Sequence, residues 1–444
     1  MGHSRTPVVV LEFNELSPAL MDEFIAAGHL PGFARLRSSS RTYVTEAGED
    51  DDRLNPWVQW VSVHTGTTVD EHGVHRLGEG AEVLVPTVGE VVTGAGGSVW
   101  LCGPMNVVPR EPVRGAWLPD PWSLDASPQP TELEAFAAVV RANVQEHTSP
   151  TAGISRRQYA AFARFLVAHG LRPRTVAVAV RQLAGERFRR WPRARRAMVL
   201  DLLQWDVFWW YRRRLVPDLA TFFSNSTAHF QHLHWGEEDP VLAGYRAMDA
   251  LVGEALDRLR DSATLVLCTG LSQHANIEGR GGYDGFHRPV DPLVLAAALG
   301  ADDALGAAPI MAEQFHLRFA GADAAAAAAD RIRAVRLDEA PAFEVREQGD
   351  DLLVGCLQFQ PVRRGAALAV DGREVAFHDL LYWVEAPRAG THHPDGILWV
   401  RQPGVAPADG GRVPVTAVAP TLLALLGIPA PPTMREPALV ASTA

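Results

Sequence analysis

The sequence predicts an α/β protein: a three-layer α/β/α sandwich with a mostly parallel central sheet and a helical insertion. Three observations lead there. The β-rich run Val8–Phe13 and the apolar runs at 98–102 and Thr264–Cys268 have strand length and are bounded by turn residues, as expected of parallel strands buried on both faces. Helix signals alternate with these runs, the pattern of a layered α/β architecture. From about residue 130 to 215 the strand signals give way to a block of helices.

Each element has its own warrant. After the first strand, Ser17-Pro18 opens a helix that ends before Gly28, with Pro31 beyond. Asn55-Pro56 opens another over 57–64, Asn being a favoured cap and Pro a favoured first helical residue. Helices are expected over 131–144, 155–169, 174–188 and 193–214. The last carries the aromatic run from Trp205 to Tyr211, suited to core packing or, alternatively, to lining a pocket for a flat or apolar group. The α/β pattern resumes with a strand at 217–223, a helix at 241–260 and the strand Thr264–Cys268. Alternation over 343–384, with turns at Gln348-Gly349-Asp350 and Asp371-Gly372, predicts hairpins. A helix over 420–426, stopped by Gly427 and Pro429, closes the chain. The domain organisation expected is a core of residues 1–125 and 216–444, a helical cap of 126–215, and a small β-rich excursion at 340–385.

At 444 residues and 47% hydrophobic content the chain can bury a large core. Its net charge of −11 argues against nucleic acid as a partner. No apolar stretch reaches the ~18–20 residues of a membrane span, and no secretory leader precedes the first strand, so the expected location is the cytoplasm. Cys102, Cys268 and Cys356 are widely spaced and form no zinc-thiolate pattern, so small core residues are expected. Every basic residue is arginine. One basic region, Arg187 to Arg196 with Arg212-Arg213-Arg214 after it, reads as a solvated helix face, with an anionic ligand or a membrane surface as alternatives.

Candidate chemistry gathers in four ordered segments. They are Asn14-Glu15-Leu16-Ser17-Pro18 with 28–36; Asn55-Pro56-Trp57 through Thr65-Gly66 and Glu71-His72-Gly73-Val74; Gly390-Thr391-His392-His393-Pro394-Asp395-Gly396; and Ala419-Pro420-Thr421-Leu422-Leu423 through Gly427-Ile428-Pro429 and Met434. In that order the set resembles the alkaline phosphatase superfamily, of the type I phosphodiesterase and nucleotide pyrophosphatase-like kind. The resemblance implies a sandwich of that type and two divalent ions, usually zinc, that activate a hydroxyl nucleophile and clamp a phosphoryl oxygen.

This chain departs from the pattern. Where the family has its first ligand Asp it has Asn14, and where the family has Thr or Ser it has Asn55 or Pro56. The family's Asp-x-x-x-His ligand pair corresponds, with Trp235 setting the register, to Ala228 and His232; His229 and His234 lie beside it. For the family's Asp-His after the strand Thr264–Cys268, Ser272, Gln273 or His274 fills the place. His392 falls on the late ligand position. Strand alternation points Glu12 to the side of Asn14, so Glu12 either substitutes as a ligand or satisfies a local hydrogen bond. The acidic run Glu49-Asp50-Asp51-Asp52 offers further carboxylates or a solvated loop.

Expected metal ligands are therefore His232, His392, Asn14 and His234. Asn55, Glu12 and His274 are expected in catalysis, and Asn55, Trp57, Gln59 and His393 in holding an anionic small molecule. The expected cofactor is zinc or manganese, one ion rather than two, with a metal-free centre as the alternative. The expected function is hydrolysis or group transfer on a phosphate- or sulfate-ester-like substrate. The alternatives are a non-catalytic anion- or partner-binding descendant, or an ordinary two-metal phosphodiesterase using Ser62 or Thr65.

Overall fold

A computed structural model describes residues 5–48, 54–123, 126–146, 154–189, 191, 195–276, 285–309, 314–385 and 389–440. The acidic run at 49–52 lies outside them. The chain divides into two compact units, one of residues 1–141, 154–275 and 389–444, the other of residues 142–153 and 276–388.

The first unit is built on an eight-stranded sheet. Its order is Ala408–Pro414, Arg41–Glu46, Asp395–Arg401, Thr264–Cys268, Val8–Phe13, Leu219–Ser224, Val99–Cys102, Gly115–Leu118. All neighbours pair in parallel except Asp395–Arg401, which runs against both of its neighbours. Val8–Phe13 lies inside the sheet, with Val8 opposite Leu219 on one side and Thr264 on the other. All six of its residues are buried, as suits a strand that is apolar apart from Glu12.

Helices pack on both faces. Val9, Leu11 and Phe13 share one core with Phe33, Trp100, Phe222, Tyr245 and Met248. The opposite face meets the helix Pro56–Thr65, where Trp60 packs edge-on against Phe223 at 5.2 Å. This helix is buried at every position and stops at Gly66, whose φ of +64° makes the left-handed cap that other residues adopt at a cost.

The four expected helices between 130 and 215 form at Glu134–Glu146, Arg156–Ala168, Pro173–Arg189 and Arg196–Leu215. Ser155 and Gln158 make a reciprocal capping box at the start of the second. The aromatic run is core, not pocket wall: Trp205, Phe208, Trp209 and Tyr211 are buried, and Trp205 stands edge-on to Phe222 of the central sheet.

The second unit begins well before the expected excursion at 340–385. It holds a four-stranded sheet in the order Phe343–Gln348, Asp351–Cys356, Gln314–Arg318, Gly306–Pro309, and a second one through Ala340–Pro341, Arg336–Leu337, Ala367–Val370 and Arg373–Ala376. Both expected turns are present, with positive φ at Gly349, Asp371 and Gly372. The unit has its own core, in which Ala325, Ala328 and Ala329 of the helix Ala322–Ala334 are buried beside Phe315, Phe319 and Leu352. The alanine-rich run is thus a close-packing face. No helix among the described residues is long and apolar enough to cross a membrane. All three cysteines are buried.

Candidate metal centre

The centre forms where the first strand leaves the sheet. The Asn14 amide still donates to the Ser224 carbonyl at 2.9 Å, but Glu15 turns into the left-handed region at φ +61°. That conformation is unfavourable for a side chain with a Cβ, and surrounding bonds hold it. Gln231 donates its side-chain amide to the Glu15 carbonyl at 2.6 Å, and Tyr245 donates its hydroxyl to Gln231 Oε1 at 2.5 Å. The turn breaks strand alternation and leaves the Glu15 side chain fully buried at the carboxyl end of the parallel strands, where open α/β sheets place their ligands.

Two histidines converge on it. His232, near the end of the helix Ser226–His234, places Nε2 2.9 Å from Glu15 Oε2. His392, on the strand Gly390–His393, places Nε2 3.7 Å from the same oxygen. The two imidazoles are 5.3 Å apart at their centroids, and one ligand atom from each of Glu15, His232 and His392 lies within 4.8 Å of the others. His232 Nδ1 lies 3.1 Å from the Gly390 carbonyl, an oxygen that can only accept, so Nδ1 carries hydrogen and Nε2 is the atom that faces Glu15. Gly390 permits this approach: a Cβ there would sit 2.5 Å from Gln273 Oε1 and 2.7 Å from the Gln231 carbonyl.

Amides orient the carboxylate. Asn14 donates to Glu15 Oε1 at 2.7 Å, and Gln273 donates to Glu15 Oε2. Burial by itself raises the Glu15 pKa; the charges of His232 and His392, with the hydrogen bonds from His232 and Gln273, outweigh it and hold the carboxyl at about 2. The trio therefore offers one buried anion and two half-buried imidazoles, with side-chain exposures of 1%, 32% and 24%. Carboxylate and imidazole are the donor set of a divalent transition-metal site, and three protein ligands leave a coordination position open.

The other expected residues fall elsewhere or take other roles. Glu12 does not substitute as a ligand: its Oε1 lies 2.9 Å from His64 Nε2, both side chains being 1% exposed, because it faces the helix Pro56–Thr65 from within the strand. Asn14 orients instead of ligating, since its Nδ2 faces Glu15 and its Oδ1 accepts from Trp60 Nε1 at 2.7 Å. His234, two residues past His232 on a helix, turns away and meets Glu237 at 3.3 Å. His274 and His393 pair ring to ring at 5.1 Å. Each neighbours a strand residue of the opposite facing, for Gln273 pairs with His392 in the ladder and these two face Glu15.

Asn55 takes the cap position of its helix with extended backbone, but its side chain makes no cap hydrogen bond. Gln59 is fully buried, and neither atom of its amide finds a partner among the described residues. Trp57 is a packing residue whose Nε1 donates to the His75 carbonyl at 3.3 Å. The hydroxyls of Ser62 and Thr65 are buried and engaged, Ser62 with His72 at 3.1 Å and Thr65 with the Val61 carbonyl at 2.7 Å. Glu15 and Gln231 are the parts the sequence expectations did not assign, and of the three alternatives Ser272, Gln273 and His274 it is Gln273 that meets Glu15. The adjacent Asn14-Glu15 pair at a strand end was the available signal.

Compared with known proteins, the chain matches no family model and no curated sequence.

Proposed function

We propose that this chain is a divergent enzyme on an alkaline phosphatase-like sandwich with a helical cap, hydrolysing or transferring a phosphate- or sulfate-ester-like group of a small anionic substrate. The observation that carries the reading is the convergence of Glu15, His232 and His392 at the carboxyl end of the parallel strands of a mostly parallel sheet. These three would hold a single divalent ion, zinc or else manganese. When bound, such an ion supplies Lewis-acid polarisation of an ester oxygen and a lowered pKa for water.

The chain's own residues supply positioning. Asn14 and Gln273 fix the carboxylate, and the Gly390 carbonyl fixes the His232 tautomer. Trp60 ties Asn14 to the helix Pro56–Thr65, whose first turn and Asn55 are the anion-holding elements of this reading. His274 and His393 stand as a second imidazole pair in the adjoining ladder, available for proton transfer.

The test is metal content of protein purified without chelators, followed by a screen of phosphomonoesters, phosphodiesters and sulfate esters. About one equivalent of metal per chain is expected, with turnover lost on chelation and in His232→Ala. Absence of metal, with turnover indifferent to chelator, defeats it. A second reading, a non-catalytic anion binder, draws on Asn55-Pro56, which offers no hydroxyl where the resemblance expects an attacking one. Ligand-induced thermal stabilisation without turnover of any ester class would favour that reading.

A further inference from the structure

The chain carries −11 overall, yet residues 155–200 hold twelve arginines against one carboxylate, Glu186, which Arg196 already engages at 2.6 Å. The same stretch leaves large apolar side chains in water. Val167 and Phe188 are 74% and 79% exposed, and Val180 and Leu183 are more than half exposed. A groove of about 440 Å³ runs between the helices Arg156–Ala168 and Pro173–Arg189, lined by Tyr159, Phe162, Leu166, Val176, Val180 and Leu183. Arg156 precedes Tyr159 by three residues and Arg187 follows Leu183 by four, so the apolar stripes run into arginines at helical spacing. The Arg187 guanidinium also lies 5.6 Å from the Phe188 ring.

We infer that this helical pair docks on an anionic lipid bilayer. Exposed apolar rows of this extent mark interaction surfaces, and an apolar face flanked by arginines is the pattern of a helix lying in the membrane interface. Arginine stems lie along apolar surface while their heads reach phosphate groups. A two-fold contact between copies through this face would set the arginine-rich segment against itself, which like charge opposes.

The full chain is sedimented with phosphatidylcholine vesicles, with and without phosphatidylglycerol, at low and high salt. Binding is expected to the anionic vesicles, weakened by salt and weak to phosphatidylcholine alone. Arg187→Ala is expected to lower partitioning roughly fivefold, and Val167→Asp with Phe188→Glu to abolish it, with circular dichroism and the thermal unfolding midpoint unchanged. No sedimentation with anionic vesicles at low salt overturns the inference, as does binding indifferent to both variants. Concentration-dependent dimerisation abolished by Phe188→Glu, without vesicle binding, overturns it in favour of a second copy.

Discussion

Glu15 Oε2 and His232 Nε2 lie 2.9 Å apart, brought together from the end of the first strand and the last turn of a distant helix. The carboxylate is buried and negatively charged, the imidazole is partly open, and His392 completes the set on the same oxygen. Three donors so arranged give one anion for a divalent cation and leave one side accessible.

Glu15→Gln, His232→Ala and His392→Ala are each expected to take zinc binding from about one ion per chain to near zero. Elemental analysis after gel filtration reads this directly. Retained stoichiometry in all three would remove the trio as a metal centre.

Asn14→Ala and Gln273→Ala remove a donor from each carboxylate oxygen without removing a ligand. Metal affinity is expected to fall roughly 10- to 100-fold with the stoichiometry kept. Competition titration against a chromophoric chelator separates this from the outright loss in the ligand variants.

Trp60→Phe keeps an aromatic ring against Phe223 but removes the donor to Asn14 Oδ1. A buried acceptor left unpaired costs about 1–3 kcal/mol. Urea unfolding should show that loss, and metal affinity should weaken in parallel because Asn14 is then less firmly aimed at Glu15.

His72 supplies a pH test away from the centre. Its Nδ1 accepts from the Val74 amide and its Nε2 faces Ser62, so the ring is held neutral. Burial, and then the His75 charge, lower its pKa to about 4, against the opposing pull of Glu71 and Asp70. Below the ordinary value of 6.5 the unfolded chain takes up the proton and the folded chain does not. Its contribution is therefore complete above pH 6.5 and is lost as pH falls from 6.5 toward 4, on the order of 3 kcal/mol in all. His72→Gln should flatten stability across that window relative to wild type. An unchanged slope would contradict the assignment.

Much of the layout was legible in the residues themselves. Val8–Phe13 and Thr264–Cys268 read as buried strands because their runs are apolar apart from Glu12 and Thr264 and show no polar alternation. The helical block, the closing helix Val418–Leu425 and the hairpin turns followed from periodicity and from Gly, Pro and Asp placement. Pairing His232 with His392 came from resemblance, and the fold brings their rings within 5.3 Å. The extent of the second unit was not legible. A run of short strands and one alanine-rich helix does not show that it closes its own core until its faces meet.

The sequence by itself determined which segments are strands and helices and which imidazoles stand near one another along the chain, because those depend on local periodicity and spacing. Only tertiary structure decided which carboxylate faces those imidazoles. Alternation within the strand favoured Glu12, which instead meets His64 beneath the sheet. Glu15 won because a left-handed turn, held by Gln231 and Tyr245 from a different part of the chain, swings it out of the strand's register. The hydrogen bonds that impose this backbone conformation come from Gln231 and Tyr245, more than 200 residues away, so the pair Asn14-Glu15 does not by itself show which way Glu15 turns.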